Sequence, residues 1–112
     1  MTSHEQSTVT VRCETGAGGA DVGAQVVLAM AARVGIPPLA ADRLRGDVRE
    51  ALRAANGPVE LVCSADDDSL SITISSAAAG LDDVRAALDG HSAELSAGTV
   101  VVRVKRTALR SV

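Results

Sequence analysis

The chain has 112 residues, 46% of them hydrophobic and 22% charged, with a formal net charge of -3 and no Phe, Tyr or Trp. That length holds one domain with a modest core, and the composition is globular and not disordered. Net negative charge argues against nucleic acid as a partner, because phosphate neutralisation dominates such binding, and the missing aromatic rings remove base stacking.

Residues 1–7 read as a flexible polar lead-in. Residues 8–13, TVTVRC, place Val9, Val11 and Cys13 on one face, which predicts a half-buried strand. The glycine-rich run TGAGG at 15–19 lacks the Lys-Ser/Thr ending of a phosphate loop and the GxGxxG spacing, so it reads as a connector. From 20 to 34 the apolar residues Val22, Val26, Val27, Met30 and Val34 recur at helical spacing. Gly35 and Ile36, followed by Pro37 and Pro38, predict a left-handed helix stop. A second helix is expected over 40–55, with Leu44, Val48, Ala51, Leu52 and Ala55 as its core stripe. Gly46 in its middle costs about 1 kcal/mol against alanine and reads as a point of close packing.

Two strands then follow at 59–64 and 70–75, joined by the acidic turn ADDD at 65–68. Leu70, Ile72 and Ile74 alternate with Ser71, Thr73 and Ser75, so one face of the second strand is apolar and the other polar. The three aspartates lack the following glycine and distal glutamate of a calcium loop and read as a solvated turn. A short helix over 81–88 carries Asp82 and Asp83 in its first turn, residues 89–98 read as a polar loop, and 99–106 is a valine-rich last strand. The order β-α-α-β-β-α-β predicts an α/β (α+β) two-layer sandwich, a four-stranded mixed sheet with its helices on one face. One domain spans 8–106, and 107–112 form a tail.

Cys13 and Cys63 fall at inward-facing phase in two strands and read as buried free thiols; a redox pair would require those strands to be adjacent. Together with His4 and His91 they show no metal-ligand spacing, so no metal site is expected. The local basic run Arg103, Lys105, Arg106 and Arg110 reads as a solvated strand edge and tail. No apolar leader stands in residues 1–8, and no stretch reaches eighteen apolar residues, so the expectation is a cytoplasmic protein without a membrane partner.

Residues 28–75 carry a further pattern. The first helix ends ARVGIP, the second contains LRGDVREAL, and a strand opens GPVEL before a hairpin return. This succession resembles the small ATP-binding anti-sigma factors and serine kinases of the GHKL (Bergerat-fold) ATPases, and the likeness extends over roughly residues 8–106. In that family an acid on the second helix activates water or the substrate hydroxyl, and an asparagine four positions later binds magnesium. An aspartate in a D-x-G-x-G pattern after the hairpin hydrogen-bonds the adenine. Here Glu50 matches the acidic place, but Ala54 replaces the asparagine. Ser76 stands in the aspartate place, Ala78 in a glycine place, and only Gly80 persists. Asn56 comes two residues late, about 200° round a helix, and does not substitute.

A methyl group offers a hard divalent cation no oxygen, and a serine lacks the charge-assisted hydrogen bond of a carboxylate. The family's nucleotide lid is reduced to 89–98. With these departures the resemblance implies a non-catalytic regulatory module of bacterial transcription, with no cofactor, no metal and no catalytic residue. Its partner would be a protein, a sigma factor or a STAS-domain antagonist, and the first helix or the exposed sheet face would meet it. Glu50 is then a helix-edge carboxylate pairing with Arg49 or Arg53. Two alternatives stand beside this. One is a divergent ATP-dependent serine kinase acting on an anti-anti-sigma protein, with Glu50 catalytic and Asn56 or another group at the metal. The other lies outside the family: a ferredoxin-like βαββαβ homodimer with residues 20–55 as one interrupted helix and strand order 4-1-3-2.

Overall fold

Alternation along the strands sets which way the sheet faces, and the turns between elements set the strand order. The computed structural model describes residues 7–13, 17–55, 58–76 and 81–105. Five strands and three helices follow as β1 (Ser7–Cys13), α1 (Ala17–Val34), α2 (Pro38–Ala54), β2 (Val59–Ala65), β3 (Ser69–Ser75), α3 (Asp82–Ala87), β4 (Glu94–Ser96) and β5 (Thr99–Lys105), with a 3-10 turn at Asp89–His91. The class is α+β, as expected. The sheet is not the expected four-stranded mixed one: it has five strands in the order β1-β2-β3-β5-β4, and every neighbouring pair is antiparallel.

Both corrections have physical causes. β4 has three residues, Glu94, Leu95 and Ser96, too few for a period-two signal. It exists because Ala97 and Gly98, with φ of 50° and 75°, fold the chain back in a tight turn that pairs Ser96 with Thr99. The antiparallel arrangement follows from the helix pair. α1 runs back along the sheet and α2 returns, so the chain enters β2 at the end where β1 left it and pairs with β1 antiparallel. This places β1 at the edge, so the 4-1-3-2 order of the ferredoxin-like alternative is not observed.

The stop of α1 is the predicted one. Gly35, at φ 92°, donates to the carbonyls of Ala31 and Ala32, and the Ile36 amide donates to Ala31, each at 3.1 Å. This is a Schellman closure, and Ile36 is buried beneath it. Pro38 then occupies the first turn of α2, where its missing amide hydrogen is not needed.

The helices cover one sheet face. Leu61, Cys63, Leu70, Ile72, Ile74, Val100 and Val102 point into the core from the strands, in rows such as Cys63–Ile72–Val102. The expected stripe of α2 is buried from Leu44 to Leu52, with Ala41 added and Ala55 only partly covered. On α1 the expectation was less accurate. Val22 is 56% exposed, and the buried stripe uses Ala20, Ala24 and Ala31 beside Val27, Met30 and Val34. Small residues on the inner side let α1 approach its neighbours closely, so an alanine stripe outranks a valine one.

The opposite sheet face is open and polar. Hydroxyl pairs bridge it, Thr8 to Ser64 at 3.3 Å and Ser75 to Thr99 at 3.4 Å. The acidic turn is spent on itself: Asp66 Oδ1 accepts from the amides of Asp68 and Ser69 and from the Ser69 hydroxyl. β1 and β2 are indeed adjacent, but Cys63 lies opposite Val9 and Cys13 opposite Val59. Four residues along a strand separate the two positions by about 13 Å, beyond the reach of a disulfide. Cys63 is fully buried in the core. Among the described residues no helix is long and apolar enough to cross a membrane.

Gly46 does not serve close packing. A β-carbon built there meets nothing within 4 Å. Gly46→Ala is therefore expected to stabilise the protein by about 1 kcal/mol, by helix propensity alone, read as a higher urea midpoint with unchanged slope.

Candidate functional site

The residues weighed for nucleotide chemistry lie along the second half of α2 and at the end of β3. Positions four apart on a helix share a face, so Glu50 and Ala54 lie in one row. Glu50 is exposed and Ala54, the last residue of α2, is half-buried. Glu50 does not pair with Arg49 as expected: Arg49 Nε lies 2.6 Å from Asp21 Oδ1 and ties α2 to α1. Among the described residues Glu50 has no ion-pair partner.

Ser76 follows β3 directly. Its hydroxyl donates to the Pro58 carbonyl at 3.4 Å, and its amide donates to the Gly98 carbonyl at 3.3 Å. It helps line a wide cleft of about 660 Å³ at the end of the sheet, with Arg12, Glu60, Ser75 and Thr99. Glu50 and Ala54 are not part of that cleft. Ala78, Gly80 and Asn56 lie outside the described residues.

The loop at 89–98 is neither structureless nor free of contacts. The 3-10 turn brings His91 to α2, where His91 Nε2 and Asp47 Oδ2 meet at 2.7 Å. The histidine side chain is only 15% exposed. An ionised carboxylate only accepts, so Nε2 carries the proton in that contact. α3 packs against α2 through the same flank, with Val84 and Leu88 buried. Within a stretch expected to be a polar loop, His91 is thus a clasp between the segment after α3 and the middle of α2.

The clasp walls a second cleft, of about 370 Å³, whose lining includes Ile36, Leu39, Ala40, Arg43, Leu44, His91 and Val104. Sequence reasoning did not find this site. Asp47 and His91 stand 44 residues apart, and no local pattern announces that they meet. Arg43 lies off the core stripe of α2, as do Arg45, Arg49 and Arg53, so it gave no distinct local signal. Among the described residues no three His, Cys, Asp or Glu side chains form a group able to hold a metal ion.

No protein-family model matches this chain, and no curated protein matches it.

Proposed function

We propose that this protein is a non-catalytic regulatory module that works by binding another protein, resembling an anti-sigma factor with an eroded nucleotide site. One observation carries the reading. The side chain at position 76, where the resemblance would put the adenine-binding carboxylate, is engaged with the chain itself. The Ser76 hydroxyl donates to the Pro58 carbonyl. At the end of α2 stands Ala54, whose methyl group has nothing to offer magnesium.

With no oxygen at position 54 and no carboxylate at position 76, both charge-assisted contacts of the nucleotide are lost. Each such contact is worth about 1.5–3 kcal/mol, so two of them separate micromolar from millimolar binding. The function then rests on a surface. The outward side of α1 offers one, with Val22, Gln25, Val26 and Ala29 lining a shallow apolar strip. A sigma factor or a STAS-domain antagonist is the partner this reading assigns to it.

Titration calorimetry tests both halves. Magnesium-ATP is expected to give no saturable heat, and a micromolar Kd would overturn the eroded site. A purified sigma factor or STAS-domain protein is expected to bind, and Val22→Asp to weaken that binding about tenfold or more while stability stays within about 0.5 kcal/mol. Failure of every such partner to bind would overturn the anti-sigma assignment.

A further inference from the structure

The cleft at the first half of α2 has no part in that reading. We propose that it binds a small aliphatic carboxylate, with Arg43 holding the carboxylate and the apolar wall taking the chain. Its volume of about 370 Å³ lies within the range of roughly 300–1,000 Å³ typical of small-molecule sites. Ile36 and Leu44 are buried at its base, Ala40 and Val104 extend the apolar lining, and Leu39, 88% exposed, stands at its edge.

Charge decides which kind of ligand fits. Arg45 is held by Asp42 through Nε at 3.1 Å and Nη2 at 2.8 Å, and Arg49 is held by Asp21. Arg43 has no carboxylate partner among the described residues. Asp47, which meets the lining residue His91, is engaged by that contact. Among the described residues that line this cleft, Arg43 therefore carries the one unmatched charge. Its planar fork of donors suits a carboxylate bidentately.

A polyanion would set several charges against an apolar wall with one cation to meet them. A cationic ligand would meet Arg43 unfavourably. The protein has no Phe, Tyr or Trp, so the wall offers no ring for stacking, and a flexible aliphatic chain suits it better than an aromatic one. The His91–Asp47 clasp holds the far wall in place. Glu50 lies about two helical turns beyond Arg43, some 10 Å along the axis, so this site is separate from the one weighed for ATP.

Octanoate is the probe, followed by methyl and arginine Nε signals in NMR, with 1-octanol as the uncharged control. Saturable shifts at Leu39, Leu44 and Val104 are expected with octanoate. Arg43→Gln is expected to weaken octanoate about tenfold or more and to leave 1-octanol unchanged. Leu39→Gln, at an exposed position, is expected to weaken both. Absence of saturable shifts with octanoate at millimolar concentration would overturn the proposal. So would equal binding of octanoate by the wild type and Arg43→Gln, since the cleft would then recognise no anion.

Discussion

Ile72→Ala is expected to destabilise the protein by about 2–5 kcal/mol. Ile72 sits mid-strand in β3, the central strand of the sheet, fully buried between Cys63 and Val102. Removing three of its carbons leaves a cavity, and the cost depends on how well neighbours collapse into it. They collapse poorly here. Val100, Val102 and Ile74 are β-branched and stiff at χ1, and the protein has no large flexible ring to swing in. A domain of this size is stable by roughly 5–15 kcal/mol, so one substitution removes a large share. The melting temperature should fall by more than about 10 °C. Ile72→Val should cost only about 0.5–1.5 kcal/mol, since one methyl group is lost. Urea denaturation of the pair checks the argument. A loss below 1 kcal/mol for the alanine variant would mean that this part of the core is loosely packed.

Val48→Asp is expected to unfold the protein at room temperature, while Glu50→Ala leaves stability within about 0.5 kcal/mol. The two positions are two residues apart on α2, about 200° round the helix. Val48 is fully buried and Glu50 is exposed. Aspartate at position 48 would bring a carboxylate into a core in which no buried polar or charged side chain is described. An uncompensated buried charge costs several kcal/mol even after the group takes up a proton. Circular dichroism distinguishes the two variants directly. Equal stability of both would mean that α2 does not bury the face assigned to it. The contrast also bears on the proposed function: an exposed Glu50 without an ion-pair partner is dispensable to the fold, so its loss can be tested in binding assays on a folded protein.

The strands were legible because alternation is a local property. Leu70, Ile72 and Ile74 declare their face within seven residues, and the structure buries each of them. The end of α1 was legible for the same reason, since Gly35, Ile36 and two prolines act over a few bonds. Val22 misled because large apolar residues were weighted above alanine, while the helix packs its alanines inward and leaves Val22 in water. β4 escaped notice because its pairing depends on the turn at Ala97 and Gly98 and on β5 beyond it, not on its own three residues.

The candidate site divides similarly. Glu50 and Ala54 could be placed in one row of a helix from their spacing alone, and the absence of an oxygen at position 54 is plain in the sequence. That Ser76 gives its hydroxyl to Pro58, that Arg49 turns to Asp21 and not to Glu50, and that His91 clasps Asp47 required the folded chain.

By itself, then, the sequence determined the helices and the strands other than β4, the buried face of β3, the stop between the two long helices and a core without aromatic rings. Each follows from periodicity or turn chemistry acting over at most a few residues. Only the tertiary structure decided the strand order, the all-antiparallel sheet, the register that separates the two cysteines and the cleft beside Arg43. Those depend on which distant segments share a surface. A helix pair that carries the chain back to where β1 ended, and a turn that lays β4 against β5, settle them through geometry that no local window contains.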